Sequence, residues 1–125
     1  EERETLMLRI ILVALILMSP VAPNAPAKAD GLDWTVSNST GGRLWIRFFS
    51  QWRDHVWPGG RDFYYVDPGQ QSTVRMTCQT GEKICFGAIN NNRSLYWGVG
   101  EFGRKGCQSC CRTCGEFYSN VTNLN

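Results

Sequence analysis

Apolar and polar positions along this chain follow two different regimes. Residues Ile10–Met18 are apolar without a break, with Arg9 before them and Ser19-Pro20 after. A positive flank, a short apolar run and the small-x-small triplet Ala27-Lys28-Ala29 predict a secretory signal over residues 1–29, cut before Asp30. A spanning helix needs about 20 apolar residues, roughly twice this run, so a cleaved signal is preferred to an anchor and no membrane span is expected in the mature form. Glu1, Glu2 and Glu4 are out of place at the head of a signal, whereas Met7-Leu8-Arg9 makes an ordinary start. Residues 1–6 therefore read as lying upstream of the true start.

Beyond the leader the pattern turns to period two. Leu32 to Asn38 alternates and meets the turn-forming Ser39-Thr40-Gly41-Gly42; Leu44, Ile46 and Phe48 then share one face, with Arg43, Trp45, Arg47 and Phe49 on the other. The pair reads as a hairpin. Ser50 to Gly60 reads as an irregular loop with aromatic anchors, and Phe63–Val66 as a short strand closed by Asp67-Pro68-Gly69. A second hairpin is expected across Gly81-Glu82 in a type II′ turn, setting Cys78 opposite Cys85, Met76 opposite Gly87 and Val74 opposite Ile89. Asn90-Asn91-Asn92 makes a turn and Ser94–Trp97 a further strand, after which Gly98, Gly100, Gly103 and Gly106 interrupt regular structure. No 3.6-residue period is sustained; at most a helical turn or two is expected around Cys110. Short strands with frequent glycine turns predict an all-β class, a small disulfide-stapled β-sandwich or barrel over residues 30–116, with 117–125 as a flexible C-terminal tail.

Composition then narrows the picture. Removing 29 of the 125 residues leaves 96, one domain's worth. The leader carries three bases (Arg3, Arg9, Lys28) and three acids (Glu1, Glu2, Glu4), so the net charge stays at +2 without it. That balance, with no run of basic residues, argues against nucleic acid as a partner.

Six cysteines, Cys78, Cys85, Cys107, Cys110, Cys111 and Cys114, in an exported chain predict a disulfide framework. Six thiols allow 15 pairings. The expected hairpin favours Cys78–Cys85, leaving the other four to pair among themselves. The competing scheme sends Cys78 and Cys85 each to the cluster and stabilises more, because longer loops are closed. Cys107-x-x-Cys110 and Cys111-x-x-Cys114 also have the form of zinc knuckles or redox pairs, but structural zinc sites space their ligand pairs further apart and neither half lies in a strand–helix setting. No metal and no cofactor is expected.

His55, the single histidine, is where a hydrolytic centre would have to be built, and no G-x-S-x-G or H-E-x-x-H pattern accompanies it. Catalysis is thus not predicted, although a secreted hydrolase using His55 is kept as an alternative. Fifteen aromatic residues lie after the leader. Arg43, Trp45 and Arg47 on one strand face, with Trp52 and Trp57 in the following loop, form a candidate platform for a glycan, a lipid surface or another envelope protein; core packing is the plainer role for the same rings. Asn38-Ser39-Thr40, Asn92-Arg93-Ser94 and Asn120-Val121-Thr122 match the N-glycosylation pattern.

The strings Gly81-Glu82-Lys83-Ile84-Cys85-Phe86-Gly87-Ala88, Trp97-Gly98-Val99-Gly100 and Gly106-Cys107-Gln108-Ser109-Cys110-Cys111-Arg112-Thr113-Cys114 together resemble a pattern in small exported bacterial proteins of unassigned function. The resemblance spans roughly residues 34 to 115 and implies a periplasmic or extracellular protein; it brings no activity with it. The function expected on all these grounds is a non-catalytic binding module at the cell envelope or outside. A thiol-redox or metal-binding protein built on the Cys107–Cys114 cluster is the alternative.

Overall fold

The computed structural model describes Pro20 and residues 29–125. The expected leader lies outside the described residues except for Pro20 and Ala29. Nine strands follow in chain order: β1 (Ala29–Asn38), β2 (Leu44–Ser50), β3 (Val56–Trp57), β4 (Tyr64–Val66), β5 (Gln71–Gln79), β6 (Lys83–Asn90), β7 (Tyr96–Gly98), β8 (Cys111–Thr113) and β9 (Thr122–Leu124). The described residues contain no helix, so the turn expected around Cys110 is not helical.

Two sheets face each other. The first runs β5-β1-β9, with β9 parallel to β1 and β5 antiparallel. In the second, β2 and β6 are the central antiparallel pair. β3 and β4 flank β2, and β7 and β8 flank β6. Alternation supplies the core between them: Leu32, Trp34 and Val36 from β1, Val74, Met76 and Cys78 from β5, Leu44, Ile46 and Phe48 from β2, Ile84, Phe86 and Ala88 from β6. Trp34 is central, its ring 5.1 Å from Phe48 and 5.8 Å from Phe86. The described residues thus form an all-β sandwich, as their period-two pattern predicts.

Both predicted hairpins are corrected. β1 does not pair with β2, nor β5 with β6; each turn carries the chain from one sheet to the other. The apolar alternation is the same in either case, because strands opposed across a sandwich also turn their apolar faces to each other. What distinguishes the two is the turn. At the first crossing, Asn38 is fully buried and its Nδ2 donates to the carbonyls of Gly42 and Val66, while its Oδ1 accepts from the Thr40 amide and hydroxyl. That burial also removes Asn38 as a glycan acceptor in the folded chain. At the second crossing the Glu82 amide donates to the Gln79 carbonyl at 2.9 Å, with Gly81 at φ +84° in the third position of the turn. This is glycine's place in a type II turn, not the type II′ expected.

The cysteines follow the crossings. The bridges are Cys78–Cys114, Cys85–Cys111 and Cys107–Cys110. Cys78 and Cys85 stand in different sheets, so the hairpin pairing between them gives way to the scheme that pins the cluster to both sheets. In the chain-entropy model the two long-range bridges contribute about 3–4 kcal/mol each and the short one about 2 kcal/mol.

The C-terminal segment is also ordered differently from the expected tail. Thr122–Leu124 extends the first sheet, Leu124 is buried, its carbonyl accepts from the Ser39 amide, and the Asn125 carbonyl accepts from the Trp97 indole. Apolar Leu124 at the end of a polar stretch is the anchor that the tail's composition hides; Phe117, a large apolar side chain, stands out to solvent.

A cation packs against the core from β8. Arg112, on β8, lies 4.6 Å from the Trp34 ring and 4.8 Å from the Tyr118 ring. Its Nη2 donates to the Asn120 carbonyl, while Nη1 is the one buried side-chain polar atom without a hydrogen-bond partner among the described residues. Burial pushes its pKa down from the ordinary arginine value, with Tyr118 acting in the opposite sense. A buried unpaired donor costs about as much as its companion bond returns. Arg112→Met, which keeps the packing against both rings, is therefore expected to change the urea-unfolding free energy by less than about 1 kcal/mol, whereas Arg112→Ala is expected to lose about 2 kcal/mol or more to the cavity it leaves.

Candidate functional site

The outer face of the second sheet gathers the chemistry. Arg43, just before β2, and Trp45 and Arg47 on it point away from the core, as their alternation requires. The Arg43 guanidinium lies 4.2 Å from the Tyr65 ring and 5.5 Å from the Trp45 ring, and its Nε donates to Asp67 at 2.6 Å. Trp45 packs against Tyr65 and Phe63 and donates its indole N–H to Asn91 Oδ1 at 2.7 Å. Arg47 lies 3.7 Å from the Phe63 ring and donates to the carbonyls of Asp62 and Glu101. The strand thus carries an alternating ladder of cations and rings.

The remaining members of the expected platform go elsewhere. Trp57 pairs with Phe48 on the inner face and is only 7% exposed, its indole donating to the Thr77 carbonyl. It is a core residue, because strand β3 places it on the inward parity. Trp52 is 59% exposed, but it lies past the other end of β2, where its ring edge approaches Gly81. Arg47 is itself nearly buried and acts as a clamp between two loops, not as an exposed cation. Of the five residues, Arg43 and Trp45 remain on an accessible surface together.

What sequence reasoning missed lies beside them. Segment 98–105 leaves β7 and folds flat over the outer face of β6, held there by the Val99 amide on the Phe86 carbonyl at 2.9 Å and closed on itself by the Lys105 amide on the Val99 carbonyl at 3.0 Å. The Gly100 backbone rests directly on Gly87, where any Cβ would overlap the Gly100 carbonyl oxygen. This close approach leaves a groove of about 460 Å³ lined by Ile89, Arg93, Tyr96, Val99, Glu101, Phe102, Arg104 and Lys105. Tyr96 and Phe102 are more than half exposed, and the Lys105 ammonium lies 5.4 Å from the Tyr96 ring. Arg93 is paired with Glu101 at 3.1 Å; Arg104 and Lys105 form no ion pair among the described residues. A second hollow of about 260 Å³, lined by Trp45, Phe63, Asn90 and Asn91, adjoins the groove across Ile89 and Arg93. The available signal was the grouping Tyr96…Phe102-x-Arg104-Lys105, rings and cations set among glycines, where the glycines draw the eye as breakers.

The other candidates are plainly placed. His55 is exposed and stands edge-on to Trp57 at 4.4 Å, with no carboxylate or hydroxyl bonded to its imidazole among the described residues. Every cysteine is bridged. The sulfurs of Cys85, Cys110 and Cys111 lie within 4.8 Å of one another, the one such group among the described residues, but in the bridged state they offer no thiolate to a metal. No helix among the described residues is long and apolar enough to cross a membrane. Comparison with protein-family models, with curated proteins and with solved structures gives no match for this chain.

Proposed function

We propose that this chain is an exported, disulfide-stapled binding module of the cell envelope or exterior, and that its ligand is an anionic glycan held in the groove beside Phe102. The observation that carries this reading is the meeting of exposed rings with unpaired cations: Tyr96 and Phe102 stand beside Arg104 and Lys105 in one concavity. Flat apolar faces stack on sugar rings, and guanidinium and ammonium groups pair with carboxylates or sulfates on them. Asn91 in the adjoining hollow, whose Oδ1 accepts from Trp45, turns its amide nitrogen to a hydroxyl. Three bridges support export, since such bonds persist in oxidising compartments.

Titration calorimetry of the mature protein against polygalacturonate, heparin, neutral dextran and phosphatidylglycerol vesicles tests the proposal. One or both acidic polymers are expected to bind, with affinity falling as salt rises, and dextran is not. Phe102→Ala and the double change Arg104→Ala/Lys105→Ala are each expected to weaken binding roughly tenfold, the scale of one lost stacking or desolvated ionic contact. Both sites are exposed, so the fold should survive. Preference for vesicles over both acidic polymers, or affinity unmoved by either variant, would reject the glycan site. Export is checked separately by N-terminal sequencing of secreted material, with Asp30 expected first.

A further inference from the structure

Cys107, Cys110 and Cys111 carry a second chemistry, independent of the groove. The Cys107–Cys110 bridge closes a loop of sequence separation 3, and its outer member stands in an exposed run, Lys105 to Ser109. Its inner member is buried. Sγ of Cys110 lies 3.8 Å from Sγ of Cys111, and within 4.8 Å of both sulfurs of the Cys85–Cys111 bridge. Ser109, inside the small loop, is held at φ +59°, a left-handed conformation that an L-residue adopts at a cost and that opening the loop would release.

We propose that Cys107–Cys110 is a thiol–disulfide exchange site that passes the exchange inward to Cys85–Cys111. A thiolate from a small-molecule thiol attacks Sγ of Cys107, the solvent-facing sulfur. A mixed disulfide forms there, the Cys107–Cys110 bond breaks, and Cys110 leaves as a thiolate. Cys110 then attacks the adjacent Cys85–Cys111 bridge. It bonds to one of those sulfurs and expels the other as a thiolate, which takes up the proton lost by the incoming thiol. One thiol enters and one thiol emerges; the number of disulfides is unchanged save that one now joins the small molecule. Cys78–Cys114 takes no part, since both its sulfurs are buried apart from this group.

The test treats the native, fully oxidised chain with reduced glutathione at mildly alkaline pH, quenches with iodoacetamide and maps each cysteine by peptide mass spectrometry. Expected first are glutathione on Cys107 and a carbamidomethyl group on Cys85 or Cys111, with Cys78–Cys114 intact. In Cys107→Ala/Cys110→Ala, which removes only the short loop, modification at Cys85 and Cys111 is expected to be lost over the same time. Alkylation that stays on Cys110, a first adduct on any other cysteine, or Cys85–Cys111 opening at the same rate in the double variant would each overturn the proposal. The wild-type map decides the matter even if the double variant does not fold.

Discussion

Replacing Gly87 by alanine is expected to destabilise the domain by about 3 kcal/mol, the upper end of what an overpacked core site costs, and to lower its melting temperature by roughly 15–20 °C for a chain of this size. Gly87 sits mid-strand in β6, paired with Arg47 on one side and Gly98 on the other. A Cβ there would overlap the Gly100 carbonyl oxygen and stand 2.9 Å and 3.1 Å from the carbonyl carbon and amide nitrogen of the same residue. These are backbone atoms and cannot rotate aside. The covering segment cannot lift away without breaking the Val99–Phe86 bond and the Arg47 bond to the Glu101 carbonyl. Gly41→Ala is the control: nothing lies within 4 Å of its Cβ position and its φ is ordinary. It is expected to stay within about 0.5 kcal/mol of the parent. Thermal melts of both variants under oxidising conditions make the comparison; equal stability would mean that segment 98–105 does not pack on β6 as described. Because the same segment forms the groove, Gly87→Ala is also expected to lose the acidic-polymer binding proposed for it.

The strands of this domain were largely legible, and their partners were not. Period two marks Leu32, Trp34 and Val36, or Leu44, Ile46 and Phe48, as one buried face whatever lies opposite. It says nothing of whether a turn reverses the chain within a sheet or lifts it into the next. That decision rests on side chains that read as generic polar residues: Asn38, whose amide knits the first crossing, and Glu82, whose carboxylate knits the second. The misplaced platform has the same origin. Arg43, Trp45 and Arg47 share a face by parity, yet Arg47 is drawn under Phe63 by carbonyls of Asp62 and Glu101, which are 15 and 54 residues away. Trp57 sits beside His55 and Pro58 in a stretch without alternation, and only its two-residue pairing with β2 turns it inward. Gly98, Gly100 and Gly103 were visible as interruptions and Gly87 only as a strand residue, but the purpose of Gly87 and Gly98, letting one backbone lie against another, needs the second backbone to be seen.

Glu82 is expected to make stability fall in acid, and Glu82→Gln to abolish that dependence. Its side chain has no solvent exposure, an unusual place for a carboxylate. Burial alone would push its pKa up. Outweighing that, Arg53 donates to both carboxylate oxygens at 2.7 and 3.0 Å, the Gln79 amide at 2.9 Å and the Ser50 hydroxyl at 2.5 Å, and together they hold the pKa down to about 2. An ordinary glutamate in the unfolded chain titrates near 4.5. Between these values the unfolded chain binds the extra proton, so stability rises with pH there. The contribution is fully present above about 4.5 and is lost as pH falls through about 2. With Arg53 one-third exposed and its charge partly screened, it amounts to about 2–3 kcal/mol. Urea unfolding followed from neutral pH down to the folded-state value should trace this loss in the parent. Glu82→Gln should start about 2–3 kcal/mol lower at neutral pH and show little of the slope, since its amide cannot titrate and leaves Arg53 without a charged partner. Parallel curves for the two proteins would mean that Glu82 does not carry the acid sensitivity and that the crossing between β5 and β6 is held by the Cys78–Cys114 bridge and the Cys114 backbone bonds to Gly81 and Glu82 instead.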